Sequence, residues 1–217
     1  AMVEYEYDPD RAIELLAEAG WTDTDGDGYA DKDGQIFEVE IGSTTGNAMR
    51  ESMTQIFQQY MKDIGIKVNI NLLPSSIWFA DGPDGPLFGR RFDLGEFAWL
   101  TGVAPPCDLY LSTQTPGPGG ESMISVQTGE EVIFQSAWGG QNDPGFVNAE
   151  YDLACNKALQ NLPGQPAYEE GHKEAQLIFS EQLPVAPLFL RLKLSATRPD
   201  MCNFLQDPTA NSEMWNV

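Results

Sequence analysis

The chain has 217 residues, and 33 Asp and Glu against 12 Lys and Arg leave a formal net charge of -21, which repels polyanions and excludes nucleic acid and anionic lipid as main partners. With 41% hydrophobic and 11% aromatic residues, its composition is that of a folded globular chain, not an acidic disordered tail. No apolar run reaches the roughly 18 residues of a membrane helix; the best, 183–194, is cut by Pro184, Pro187, Arg191 and Lys193.

Asp8 before Pro9 supplies a capping oxygen and a proline at the first helical position, and Ala12, Leu15, Leu16 and Ala19 recur at helical spacing until Gly20. This predicts a short amphipathic helix. Beyond an Asp- and Gly-rich stretch, Phe37, Val39 and Ile41 alternate with Glu38 and Glu40, the period of a half-buried strand. Met49, Met53, Ile56, Phe57, Tyr60, Met61 and Ile64 make a helical stripe closed by Gly65. Val68, Ile70 and Leu72 then alternate with Lys67, Asn69 and Asn71 in a second strand. Strand, helix and strand with short joints form a βαβ unit with parallel strands.

From Pro74 to Asn148 periodicity fades, apart from Phe92 to Trp99. Such a long irregular segment either builds a binding surface or is an insertion without function. Order returns with a stripe at Tyr151, Ala154, Cys155, Ala158, Leu159 and Leu162, ended by Pro163-Gly164, and a helix from Ala167 to about Leu183 with Tyr168, Ala175, Ile178 and Phe179 inward. Val185 to Leu190 reads as a buried strand and Leu192 to Ala196 as a half-buried one. The expected fold class is α/β, a mixed sheet flanked by helices. No internal repeat is visible, which argues against solenoids and propellers.

The most specific local signal is the loop from Asp23 to Asp31. Asp23, Asp25, Asp27 and Asp31 take the first, third, fifth and ninth places of a calcium loop, Gly28 takes the sixth, and the Tyr29 carbonyl is available at the seventh. The twelfth place is Gly34, where an EF-hand has a bidentate Glu, and the flanks are helix and strand. Two readings stay open: a structural calcium site, and an Asp/Gly turn whose side-chain oxygens accept backbone N–H groups without metal.

Catalytic patterns are absent from the sequence. The single histidine, His172, falls between Gly171 and Lys173 on the polar part of a helix and reads as a solvated imidazole. Cys107, Cys155 and Cys202 lack C-x-x-C spacing. In an exported chain a Cys155–Cys202 bridge would pin the tail and leave Cys107 over, although spacing alone does not fix the pairing. Trp78, Trp99 and Trp138, with Phe79, Phe97 and Tyr110, supply large planar surface in the irregular middle, and Thr101, Gln141 and Asn142 supply polar groups to orient a ligand. For each aromatic alone, core packing is the competing role.

The run Tyr7-Asp8-Pro9-Asp10-Arg11-Ala12-Ile13-Glu14-Leu15-Leu16-Ala17-Glu18-Ala19-Gly20-Trp21, followed by Asp25-Gly26-Asp27-Gly28, resembles the start of the third domain of extracellular solute-binding proteins of the peptide and nickel type. These are the oligopeptide- and dipeptide-binding components of ABC importers. Lys62-Asp63-Ile64-Gly65-Ile66-Lys67-Val68, Phe92-Asp93 to Trp99, Gly145-Phe146-Val147-Asn148 leading to Asp152, and Leu183-Pro184-Val185-Ala186-Pro187-Leu188 continue the likeness in the family's order.

The resemblance implies one lobe of a periplasmic-binding-protein-like (class II) clamshell: a ligand-binding lobe over 1–200 and a segment, 201–217, returning toward a missing N-terminal lobe. The opening Ala1-Met2-Val3 fits a piece of something longer. It further implies reversible, non-catalytic capture of a small solute, a peptide or similar polar molecule, outside the cytoplasmic membrane, with membrane tethering of the full protein and delivery to an ABC permease. The segment after Trp99 resembles a cleft strand in which an aspartate pairs with a peptide's α-amino group; Gly102 stands at that place. Glu96 occupies a position that is basic in some relatives, and Trp78 matches another cleft aromatic. The competing reading is a calcium-stabilised extracellular carbohydrate-binding or adhesion module; an acidic hydrolase ranks below both.

Overall fold

The computed structural model describes residues 2–99, 104–124, 129, 131–134, 137–190, 194–202 and 204. Helix α1 (Pro9–Glu18) starts as expected: the Asp8 carboxylate accepts the Arg11 N–H at 2.9 Å, and Pro9 opens the first turn. Its apolar stripe is only partly covered, with Ala12 and Leu16 half-buried and Ile13 and Leu15 exposed. Strands β1 (Asp31–Lys32) and β2 (Gln35–Ile36) pair antiparallel across Asp33 and Gly34, both at positive φ, as a two-residue hairpin requires.

The βαβ unit forms as the periodicity predicts. Strand β3 (Glu38–Thr44), helix α2 (Ala48–Asp63) and strand β4 (Lys67–Leu73) follow one another, with the strands parallel in register from Glu38↔Lys67 to Thr44↔Leu73. Asn47 caps α2 through bonds from the N–H groups of Met49 and Arg50. The stripe on α2 is wider than the sheet can cover. Met53, Phe57, Met61 and Ile64 are half-buried, whereas Met49, Ile56 and Tyr60 stay exposed.

Helix α3 (Ser75–Trp78) and strand β5 (Leu94–Gly95) complete this half. β5 pairs parallel to β3, giving the order β4-β3-β5. Among the described residues the expected mixed sheet is therefore parallel throughout. Antiparallel pairing is confined to β1–β2 and to β6 (Ser122–Ile124) with β7 (Glu131–Ile133), because the connections into β4 and β5 cross over the sheet instead of turning back at its edge. Trp78 is 1% exposed beneath β3, where a Cβ at Gly42 would overlap its indole. Burying an indole of 150–250 Å² at ~25 cal/mol/Å² contributes about 4–6 kcal/mol before entropic costs.

Helices α4 (Ala149–Leu159) and α5 (Pro166–Gln182) form the second core with Cys107, Phe146, Tyr110, Leu111, Ile178 and Phe179. They approach closely at Gly171, where a Cβ would lie 2.6 Å from the Ala154 carbonyl oxygen. The reading of His172 as solvated is corrected: it is buried and meets Tyr168, one turn earlier on α5, edge-on at 4.4 Å between ring centroids. The cysteine expectation is also corrected. Cys107 and Cys155 are bonded, tying the 3-10 turn Cys107–Tyr110 to α4, and Cys202 is an exposed thiol. Sequence spacing left the pairing open because the segment that brings residue 107 to α4 is not periodic.

The strand expected over 185–190 is absent. Leu188, Phe189 and Leu190 are 57–90% exposed, since no described strand runs beside them to take their backbone bonds. Of the strand expected over 192–196, residues 194–196 are described and not in a strand; 192 and 193 lie outside the described residues. Of the proposed returning segment 201–217, only Met201, Cys202 and Phe204 are described.

Candidate functional site

Strands β4, β3 and β5 run the same way, and open α/β sheets bind ligands in the crevice beyond the carboxyl ends of such strands. Ser43, near the end of β3, is fully buried, with its hydroxyl 2.7 Å from the Glu96 carbonyl oxygen and 2.5 Å from the Glu96 carboxylate. The Glu96 N–H donates to Gly42 O at 2.9 Å, so the ladder runs one residue beyond β5. At the end of β3, Arg50 of α2 donates to the Thr44 hydroxyl at 2.5 Å. Glu96 thus stands at the strand ends as a half-buried, anchored carboxylate.

Beyond it the chain lays down a row of half-buried aromatic rings. Phe79 meets Phe97 edge-on at 5.8 Å, and Phe97 meets Trp99 edge-on at 5.2 Å. Half-buried Tyr110 meets Phe179 of α5 at 4.8 Å. Burial, then the charge of Asp143, push the Tyr110 hydroxyl above its ordinary value.

The other expected residues divide. Trp78 is a floor beneath the row, in contact with Phe92 and pressed under Gly42 and Gly95, and presents no open surface to a solute. Asn142 is wholly buried and its amide is used up by the chain: it reaches Tyr110 O, Leu111 O, the Thr115 hydroxyl and Phe146 O, and its oxygen accepts the Phe146 N–H. Asn142 is framework, because the backbone consumes its polar groups, whereas Trp78 is covered with its indole N–H unpartnered among the described residues. Trp138 is half-buried at φ +58°, with its N–H on Gly117 O and its ring over Gly82. Thr101 and Gly102 lie outside the described residues.

Sequence reasoning passed over Asp143 and Arg90. Asp143 is 2% exposed, and neither carboxylate oxygen has a hydrogen-bond partner among the described residues. Burial pushes its pKa up to about 7, and the charge of Arg90 opposes that rise. Arg90 packs its guanidinium under the backbone of Gly145, in the turn that carries Asp143. Asn142-Asp143-Pro144-Gly145 reads as an ordinary turn. The available signal was that Asp143 is the sole charged residue between Glu131 and Glu150.

The acidic loop lies apart from this face. One carboxylate oxygen each from Asp23, Asp25 and Asp27 lie within 4.8 Å of one another, all exposed. Asp23 accepts the N–H groups of Gly26 and Gly28, Asp25 that of Asp27, and Asp27 that of Tyr29. The Asp31 carboxylate is turned to the N–H and hydroxyl of Thr24, which hold its pKa below the ordinary range.

The model of the family described as bacterial extracellular solute-binding proteins, family 5 Middle, matches residues 2–121, more than half of the chain. The oligopeptide-binding protein AppA of Bacillus subtilis is 41% identical over 112 residues, covering 51% of this chain and 20% of AppA. The nickel-binding periplasmic protein of Escherichia coli is 32% identical over 130 residues, covering 58% of this chain and 25% of that protein. Among solved structures, the oligopeptide-binding protein of Thermus thermophilus complexed with a pentapeptide superposes with a TM-score of 0.67 at 28% identity, covering 88% of this chain and 31% of that one. The chain spans between a fifth and a third of the length of these relatives.

Proposed function

The chain belongs to the bacterial extracellular solute-binding proteins of family 5, and from that premise we propose that it forms one wall of a non-catalytic trap that captures a peptide or similar polar solute for an ABC importer. The observation that carries this reading is the row Phe79, Phe97 and Trp99 at the carboxyl ends of three parallel strands, with the anchored Glu96 beside it. Flat rings bind at low entropic cost, and a carboxylate at the edge of the row attracts a cationic group. No bond is made or broken.

A missing N-terminal lobe of the same protein supplies the opposite wall. A solute touching both walls favours closure by its differential affinity for the closed state, and the closed form is what a permease reads. An extracytoplasmic location, with the full protein tethered to the membrane, fits both the family and the Cys107–Cys155 bond, since disulfides persist in oxidising compartments. Asp23, Asp25 and Asp27, with the Tyr29 carbonyl, would hold a structural calcium ion as a separate stabilising feature; Asp31 would have to leave Thr24 to join them. A carbohydrate-binding or adhesion module is disfavoured by the match to importer components.

The test uses the full-length protein and a mixture of tri- to pentapeptides, with retained species identified by mass spectrometry and then titrated calorimetrically. Truncating a buried aromatic contact costs roughly 1–3 kcal/mol, so Trp99→Ala should weaken binding about 5- to 150-fold without unfolding the lobe. Unchanged affinity would remove Trp99 from the binding wall.

A further inference from the structure

The first residues of the chain are tied to the end of α5. The Val3 N–H donates to the Ser180 hydroxyl at 3.0 Å, and the Tyr5 hydroxyl reaches the Ser180 carbonyl oxygen at 3.0 Å and that of Glu181 at 3.3 Å. The last carbonyls of a helix have no partner within it, so Tyr5 supplies, from 175 residues away, the donor that the end of α5 lacks. Two residues on, Tyr7 lies against Tyr60 of α2 with ring centroids 5.9 Å apart, so the arm 3–7 touches both halves of the fold. The chain leaves α5 beside this contact through Leu183, which holds the left-handed conformation at φ +45°. Leucine carries strain there, and residues at the ends of elements are where chains bend. Beyond it Leu188, Phe189 and Leu190 are exposed.

We propose that Tyr5 is a clasp: its hydroxyl, shared between two carbonyls in the last turn of α5, locks residues 3–5 to the start of 183–190 and makes the way into this lobe and the way out of α5 a single joint. The inference rests on the reading that a preceding lobe of the same protein supplies the opposite wall. Motion between lobes then passes through the stretches of chain that connect them. Two connections bonded side by side turn together, whereas two separate ones bend independently. Charge gives the clasp no help, because Glu4 and Glu6 on the arm and Glu181 on α5 have the same sign. Tyr5 is 60% exposed, so its bonds compete with water and contribute little net stability. A contact of that strength restrains the joint without freezing it.

Amide hydrogen exchange tests the clasp in this chain, and spin-label distances test the joint in the full-length protein. Tyr5→Phe keeps the ring and removes the hydroxyl. One net hydrogen bond corresponds to roughly 2- to 10-fold in an equilibrium, so exchange of the Leu183 N–H, bonded to Phe179 O at the end of α5, should quicken by about that factor. Spin labels at Leu153→Cys on α4 and at one exposed site of the preceding lobe, with Cys202→Ser removing the free thiol, should report a broader distance distribution in Tyr5→Phe without solute. Tyr7→Phe, whose hydroxyl has no hydrogen-bond partner among the described residues, should change neither readout. Unchanged exchange at Leu183 in Tyr5→Phe, or an equal change in Tyr7→Phe, overturns the clasp. Faster exchange with an unchanged distance distribution overturns the joint and leaves Tyr5 as a helix cap. Distances that do not respond to the tri- to pentapeptide mixture would remove solute-driven closure and leave the clasp standing.

Discussion

Reduction of the Cys107–Cys155 bond should lower stability by about 4 kcal/mol. The cysteines are 48 residues apart, and closing a loop of that length removes roughly 14 cal/mol/K from the unfolded chain, or about 4 kcal/mol at 25 °C. The bond also sits inside the second core, with Cys155 wholly buried, so the two thiols left by reduction stay packed and the tether is the main quantity lost. Urea unfolding followed by tryptophan fluorescence, with and without a thiol reductant, measures the difference directly. Cys107→Ala combined with Cys155→Ala should lose somewhat more, because it also deletes buried sulfur. Cys202→Ser, at an exposed site, should stay within about 0.5 kcal/mol. A loss below about 1 kcal/mol on reduction, or a reductant effect that disappears in Cys202→Ser, would refute both the pairing and the tether argument.

Asp143 sets a second stability signature. Its folded pKa of about 7 lies above the ordinary aspartate value, so between about pH 4 and 7 the folded state holds a proton that the unfolded state has released. Stability is therefore highest at the acid end of that window and falls as pH rises through 7, by at most roughly 4 kcal/mol for a three-unit shift. Asp143→Asn should flatten this contribution in melts across pH 5–8, and an unaltered slope would show that the carboxylate is not desolvated. For the acidic loop, calcium at 100 times its Kd adds about 2.7 kcal/mol, or roughly 5–10 °C in Tm. Chelation should reverse that gain and Asp25→Asn abolish it; a melt indifferent to calcium and chelator leaves the loop closed by its own hydrogen bonds.

The periodic parts of the fold were legible in the sequence. Asp8-Pro9, the alternation at Phe37 to Ile41 and at Val68 to Leu72, and the spacing on α4 and α5 each report a local rule, and local rules decide those elements. Failures came where burial depends on partners distant in sequence. His172 reads as polar from its neighbours, yet it is buried and stacked edge-on against Tyr168 one turn earlier. Val185 to Leu190 has strand composition but no described strand to pair with. At the candidate site the aromatic row was visible as residue types in an irregular segment. What composition does not carry is which rings turn outward: Trp78 and Trp99 look alike in sequence, and only the missing side chain at Gly42 decides that Trp78 goes under the sheet.

A segment with little regular structure can still present a fixed face. Between Pro74 and Asn148 the described strands are two or three residues long, too short to order the chain by ladder bonds alone. Order comes from three anchors of different chemistry. Trp78 wedges the start of the segment beneath β3, the disulfide fastens its middle to α4, and Asn142 fastens its end to the backbone of Tyr110, Leu111 and Phe146. Each anchor is buried, so the segment is held from within while Phe79, Phe97 and Trp99 stay half-buried. A binding wall needs this division, because groups that hold the wall cannot also be spent on the solute. Trp78 and Asn142, drawn from the sequence as ligand contacts, are buried, and under the function proposed above Phe97, Trp99 and Glu96 are the half-buried side chains that would meet a solute.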